Sequence, residues 1–139
     1  MIDFKFRLEK LLEYRRLQEK WAKDAYLEVM VRKFEAEAEI ESIKGRRETA
    51  LRSSPSALDK LVSLDTYLTR LDDEQRASET AESVILTEVE LALDEWNETK
   101  TQVGAIEKLR EAELAEWTMN ENRREQSELD EWSSQRRAA

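Results

Sequence analysis

The octapeptide RSSPSALD, residues 52–59, holds the single proline of a 139-residue chain. Inside a helix a proline forfeits a backbone hydrogen bond and presses its ring on the preceding turn, costing ~3 kcal/mol. At the first position of a helix it is tolerated, and a serine just before it is a good N-cap. Ser54 and Pro55 therefore read as the close of a turn and the start of a second helix. With two glycines and one proline in all, the chain has room for few other breaks.

Upstream of that turn, residues 4 to about 52 read as one helix. Phe4, Leu8, Leu11, Ala22, Ala25, Val29, Ala36, Ile43 and Ala50 recur at steps of three and four or their multiples, the seam of a coiled coil. Arg15, Gln18, Arg32, Glu39 and Arg46 interrupt it. Downstream, a helix over about 55–136 carries Ala57, Leu61, Leu64, Leu68, Leu71, Ile85, Val89, Ala92, Trp96, Val103 and Ile106, with a polar gap at Gln75, Ser78 and Glu82. The fold class that follows is all-α: two long helices in an antiparallel coiled-coil hairpin, with a turn at about 53–55 and the second helix the longer.

A turn at residues 54–55 sets opposite each other positions whose numbers add to roughly 109. Lys10, Arg15, Arg16, Lys20 and Lys23 then face Glu88, Glu90, Asp94, Glu95 and Glu98. This answers an asymmetry in charge. Residues 1–33 carry nine Lys/Arg against six Asp/Glu, whereas residues 72–98 carry one Arg against ten acids. On this register the first helix runs out opposite about residue 105, and an arm from about 107 projects without a partner. Gly104, beside Thr99 and Thr101, marks a candidate bend there. The arm holds NENRREQSELDEW, residues 120–132, where Leu129 and Trp132 are the sole large apolar residues. A segment this poor in apolar surface has little to bury against its own fold.

The first helix has more apolar residues than one seam needs. Tyr14, Leu17, Trp21, Val31, Phe34 and Ala38 form a second stripe, and exposed stripes of this kind mark interaction surfaces. The alternatives are a wider core or packing against the returning C-terminal arm.

Enzymatic readings find no support. The chain has no Cys and no His, which removes thiol nucleophiles, imidazole bases and the usual zinc sites. Its many carboxylates are spaced as solvated helix faces, without the concave, partly dry setting that catalytic pairs need. There is no glycine-rich phosphate loop and no calcium-loop pattern. No catalytic, cofactor or metal residue is therefore expected. A net charge of −9 argues against nucleic acid as a partner. No apolar run approaches the ~20 residues of a transmembrane helix, and MIDFKFRLEK lacks a secretory pattern, so a cytoplasmic protein without membrane insertion is expected.

The N-terminal FKFRLEKLLEYRRLQEKWAKDA, residues 4–25, and the C-terminal EKLREAELAEWTMNENRREQSELDEW, residues 107–132, resemble the opening and closing segments of the flagellar type III export protein family FliJ. The closing resemblance centres on Arg123, Arg124, Glu125, Gln126, Glu128, Leu129, Asp130 and Glu131. The middle of the chain matches only as coiled coil. The resemblance implies a stalk-like hairpin that inserts into the hexameric export ATPase ring and reaches the membrane-embedded export gate. It also implies a link to export chaperones and a place at the cytoplasmic face of the inner membrane. The ring-binding residues expected on that basis are Phe4, Phe6, Arg7, Leu8, Trp117, Arg123, Arg124, Gln126 and Leu129. Leu17, Trp21, Val31 and Phe34 are candidates for the gate or chaperones. Family members are often basic, and this acidic chain departs from that pattern. The competing expectation is a structural coiled-coil spacer or a homodimerising adaptor.

Overall fold

The computed structural model describes residues 3–53 and 55–138, and these form two helices, α1 (Glu9–Arg52, 44 residues) and α2 (Leu58–Ala138, 81 residues). Among the described residues there is no strand. The contacts fall into two compact units, Trp21–Trp96 and Met1–Lys20 with Asn97–Ala139.

Both helices follow from a heptad pattern, but the seam of α1 differs from the one expected. Its buried and half-buried positions step through Leu12, Arg15, Glu19, Ala22, Tyr26, Val29, Lys33, Ala36, Ile40, Ile43, Arg47 and Ala50. Every seventh residue from Leu8 to Ala50 was placed correctly. The alternate set belongs one residue later, so Leu12, Tyr26 and Ile40 are inside and Leu11, Ala25 and Glu39 outside. The shift brings Tyr26 inside in place of Ala25 and Ile40 in place of Glu39, and burial stabilises in proportion to apolar area. On α2 the inward positions run Leu64, Leu68, Leu71, Gln75, Ser78, Glu82, Ile85, Val89, Ala92 and Trp96, then Thr99, Val103, Ile106, Arg110, Glu113 and Trp117. That is the expected seam from Leu64 on, continued past Ile106, whereas Ala57 and Leu61, expected to open it, are exposed.

In the Trp21–Trp96 unit, Ile43 and Leu71 are fully enclosed and Ile40 and Ala22 are buried. Tyr26 stacks on Trp96 with ring centroids 5.4 Å apart. Arg32 bridges Glu88 at 2.7 Å, Arg46 bridges Glu74 at 3.3 Å, and Arg47 pairs with Asp72. Partner numbers fall on α2 as they rise on α1, and the first two pairs add to 120. The expected value was near 109, so the register is displaced by about ten residues. Charge did not set it. Glu88 meets Arg32 rather than the Lys20 region, while Arg15 and Arg16 meet Gln102 and Glu107 within the other unit.

On this register residue 52 stands level with about residue 68, whereas α2 starts at Leu58, so the first turns of α2 run past the end of α1. Residues 53 and 55–57 lie outside both helices. The expected start of the second helix at residue 55 is corrected accordingly: Pro55 lies in the link, and the first helical carbonyl is that of Ala57, which accepts from Leu61 N at 3.0 Å. The N-cap expected at Ser54 falls outside the described residues. Leu51, Leu58, Leu61 and Val62, around the link, are exposed.

The other unit corrects two further expectations. Helix α1 starts at Glu9 rather than Phe4, because residues 3–6 are non-helical and dock by their aromatic rings. Helix α2 runs through Gly104 unbroken, with no positive φ at either glycine. A Cβ at Gly104 would meet nothing within 4 Å.

Candidate functional site

The sequence FKFRL, residues 4–8, alternates apolar and basic side chains and is non-helical, with a turn at Arg7 and Leu8 in which Glu9 N donates to Phe6 O at 3.2 Å. Exposure alternates with it: Phe4 is half-buried, Lys5 exposed, Phe6 buried, Arg7 exposed and Leu8 half-buried. All three apolar side chains of these five residues are thus drawn at least partly out of solvent. The Phe4 and Trp117 rings lie 6.0 Å apart at 56°. The Arg110 guanidinium stands 5.8 Å over the Phe4 ring and bridges Glu9 at 3.1 Å, tying the segment to the first turn of α1. Arg7 closes the other side on Glu113 at 3.1 Å. Leu12, fully enclosed, and Val103 form the core beside this clasp.

Beyond the clasp α2 continues alone. From residue 122 to residue 138 every position is exposed. The arm therefore starts at about residue 122, fifteen residues later than expected, because the segment before α1 finds its partners as far as Glu113 and Trp117. Its helix is held by local pairs. Arg124 bridges Glu121 at 2.9 Å and Glu128 at 3.9 Å, Gln126 donates to Asp130 at 3.1 Å, and Arg136 lies 5.1 Å over the Trp132 ring. Such i,i+3 and i,i+4 pairs add a few tenths of a kcal/mol each, about ~0.2–0.5.

Consecutive helical residues point about 100° apart. Arg123 and Arg124 therefore lie on different faces of the arm. Arg124 is engaged by two acids of its own helix, while Arg123 is exposed and makes no ion pair among the described residues. Leu129 and Trp132, both more than half exposed, line a shallow depression with Glu125 and Glu128.

The nine residues expected to bind the ring thus divide in two. Phe4, Phe6, Arg7, Leu8 and Trp117 pack against one another or against α2, with Phe6 buried. Arg123, Arg124, Gln126 and Leu129 lie on the exposed arm. All nine belong to the same compact unit.

The second stripe is exposed as well. In the unit that contains the clasp, Tyr14 and Leu17 are open to solvent. In the other, Trp21, Val31 and Phe34 are each a little over half exposed, and Leu27, which the sequence reading passed over, joins them at 47%. Among the described residues no helix is long and apolar enough to cross a membrane.

A family model described as flagellar FliJ protein matches residues 4–139, nearly the whole chain. Searches of curated proteins and of solved structures found no match.

Proposed function

The chain belongs to the flagellar FliJ family, a component of flagellar type III protein export, and from that premise we propose a non-enzymatic regulator of the hexameric export ATPase, built as an antiparallel coiled-coil hairpin. The observation that carries the proposal is the arm of α2. It is helical, exposed at every position from 122 to 138 and charged, and it lies beyond the Phe4–Trp117 contact. In this reading Arg123, Gln126 and Leu129 touch the ring, and Arg124 holds the arm's helix for them. The aromatic clasp, with Phe4, Phe6, Leu8 and Trp117, sets the base from which the arm projects, and Arg7 secures it.

A single coiled coil inside a six-fold ring contacts only some subunits at a time. Contacts that differ between subunits bias their nucleotide states, because a ligand shifts an equilibrium only by its differential affinity. Leu17 in one unit, and Trp21, Val31 and Phe34 in the other, are the surfaces assigned to the export gate or to export chaperones. A cytoplasmic location at the inner face of the membrane follows from these partners.

The test is ATP hydrolysis by the hexameric export ATPase with and without the chain. Stimulation that is lost in Arg123→Glu/Arg124→Glu, with helicity retained by circular dichroism, supports the proposal. No stimulation at any ratio of the two proteins refutes it. The exposed stripe favours a second reading, a self-associating spacer, and sedimentation separates the two: a monomer fits the regulator and a tight dimer the spacer.

A further inference from the structure

In a two-helix coiled coil the face of each helix away from the seam is expected to be polar. In the Trp21–Trp96 unit α1 breaks that rule. Trp21, Leu27, Val31 and Phe34 lie on its outer side at 56%, 47%, 55% and 56% exposure, opposite Ala22, Val29, Ala36 and Ile43. The charges around them are ordered. Glu28 and Glu35, a heptad apart, continue the border that Trp21 begins, and Asp24 sits between Trp21 and Leu27. All three acids are exposed, and none takes part in an ion pair among the described residues. Beside Glu28 and Glu35 the bases are engaged elsewhere, Arg32 with Glu88 and Lys33 with Glu37. On the opposite border the exposed base is Lys23.

This order of charge argues against a second copy of the chain as occupant. An antiparallel self-pair sets the Glu28–Glu35 border against itself. A parallel self-pair sets it against Lys23, Met30 and Glu37, a single free base. Neither arrangement neutralises the three acids, and like charges facing each other across helices are unfavourable.

We infer that the outer stripe of α1 receives an amphipathic helix of another protein, whose aliphatic seam is bordered by Lys or Arg along the side that meets Asp24, Glu28 and Glu35. The aromatic and aliphatic residues supply the buried contact, and the acids select orientation and partner. The inference rests on the stripe being a partner surface and adds the chemistry of what it binds. It is independent of the arm.

The full-length chain is titrated with two synthetic helices that share heptad-spaced leucines and differ in one border, lysine in the first and glutamate in the second. The lysine-bordered helix is expected to bind at least about tenfold tighter. Asp24→Lys/Glu28→Lys/Glu35→Lys, which touches exposed residues alone, is expected to reverse that order with helicity unchanged. Trp21→Ser/Phe34→Ser, with the charge intact, is expected to weaken the lysine-bordered helix about tenfold. Unchanged binding to that variant means charge attraction alone and overturns the inference. Equal binding of the two helices overturns it too while leaving the stripe as a partner surface. No binding of either overturns both. A chain that sediments as a dimer, and as a monomer after Trp21→Ser/Phe34→Ser, makes the second copy the occupant and overturns it as well.

Discussion

Phe4 and Trp117 are 113 positions apart in sequence and 6.0 Å apart between ring centroids. Their contact, under the Arg110 guanidinium, fastens the non-helical start of the chain to α2. Phe4→Ala or Trp117→Ala is expected to cost about 1–3 kcal/mol, combining lost aromatic pairing with lost burial. Amide hydrogen exchange is expected to rise in the first turns of α1 and near residue 117 and to stay unchanged around Ile43.

Two neighbouring leucines test the seam of α1. Leu12 is fully enclosed and Leu11 is 39% exposed. Leu12→Ala is expected to lose about 2–4 kcal/mol in urea unfolding, and Leu11→Ala under about 1 kcal/mol. Equal losses would return the seam to the register in which Leu11 faces inward.

The register between the helices is tested by the Arg32–Glu88 pair. Its side chains are 48% and 39% exposed, so water screens them and the pair is worth at most about 1 kcal/mol. Arg32→Glu is expected to destabilise slightly, and Arg32→Glu/Glu88→Arg to recover most of the loss, whereas Arg32→Glu with Asp94→Arg recovers none. A double-mutant cycle measures the difference.

Gly104→Ala is expected to raise thermal stability by up to ~1 kcal/mol, since the helix passes through this position with open space where the methyl group would go. A loss of stability on that change would mean that α2 needs a glycine's freedom there.

The two arginines of the arm are expected to differ in ATPase assays. Arg123→Glu alone removes most of the stimulation, because its side chain is uncommitted. Arg124→Glu breaks pairs with Glu121 and Glu128 and lowers the arm's helicity first. Circular dichroism of the two variants, read beside their ATPase rates, separates the effects.

Two helices, their break near Pro55 and the seam of α2 from Leu64 on were legible because each rests on local chemistry: one proline, few glycines and a three-four step of Leu, Ile and Val broken by one polar gap. The seam of α1 was half legible. Where Leu11 and Leu12 stand side by side, periodicity alone accepts either, and the larger buried area across the whole helix decides. The clasp was missed although its signal was present, since FKFRL alternates with a period of two inside a region otherwise read at three to four. The pairing register was not legible. It follows from fitting one seam against the other, which no local pattern records. The exposed stripe was visible as surplus apolar residues. Its acidic border became meaningful once the ion pairs of Arg32 and Lys33 were known to be directed elsewhere.

The connection between the helices works as a vernier. Each residue added to or removed from 53–57 would shift the level at which α2 meets α1 by about two helical positions, leaving both periodic patterns intact but their teeth unmatched. A change of one or two residues would draw Arg32 away from Glu88 and Arg46 away from Glu74. Only larger changes, near a full heptad of slip, would let the two seams mesh again. Length in this short stretch, more than its composition, therefore limits which pairings of the two seams are within reach.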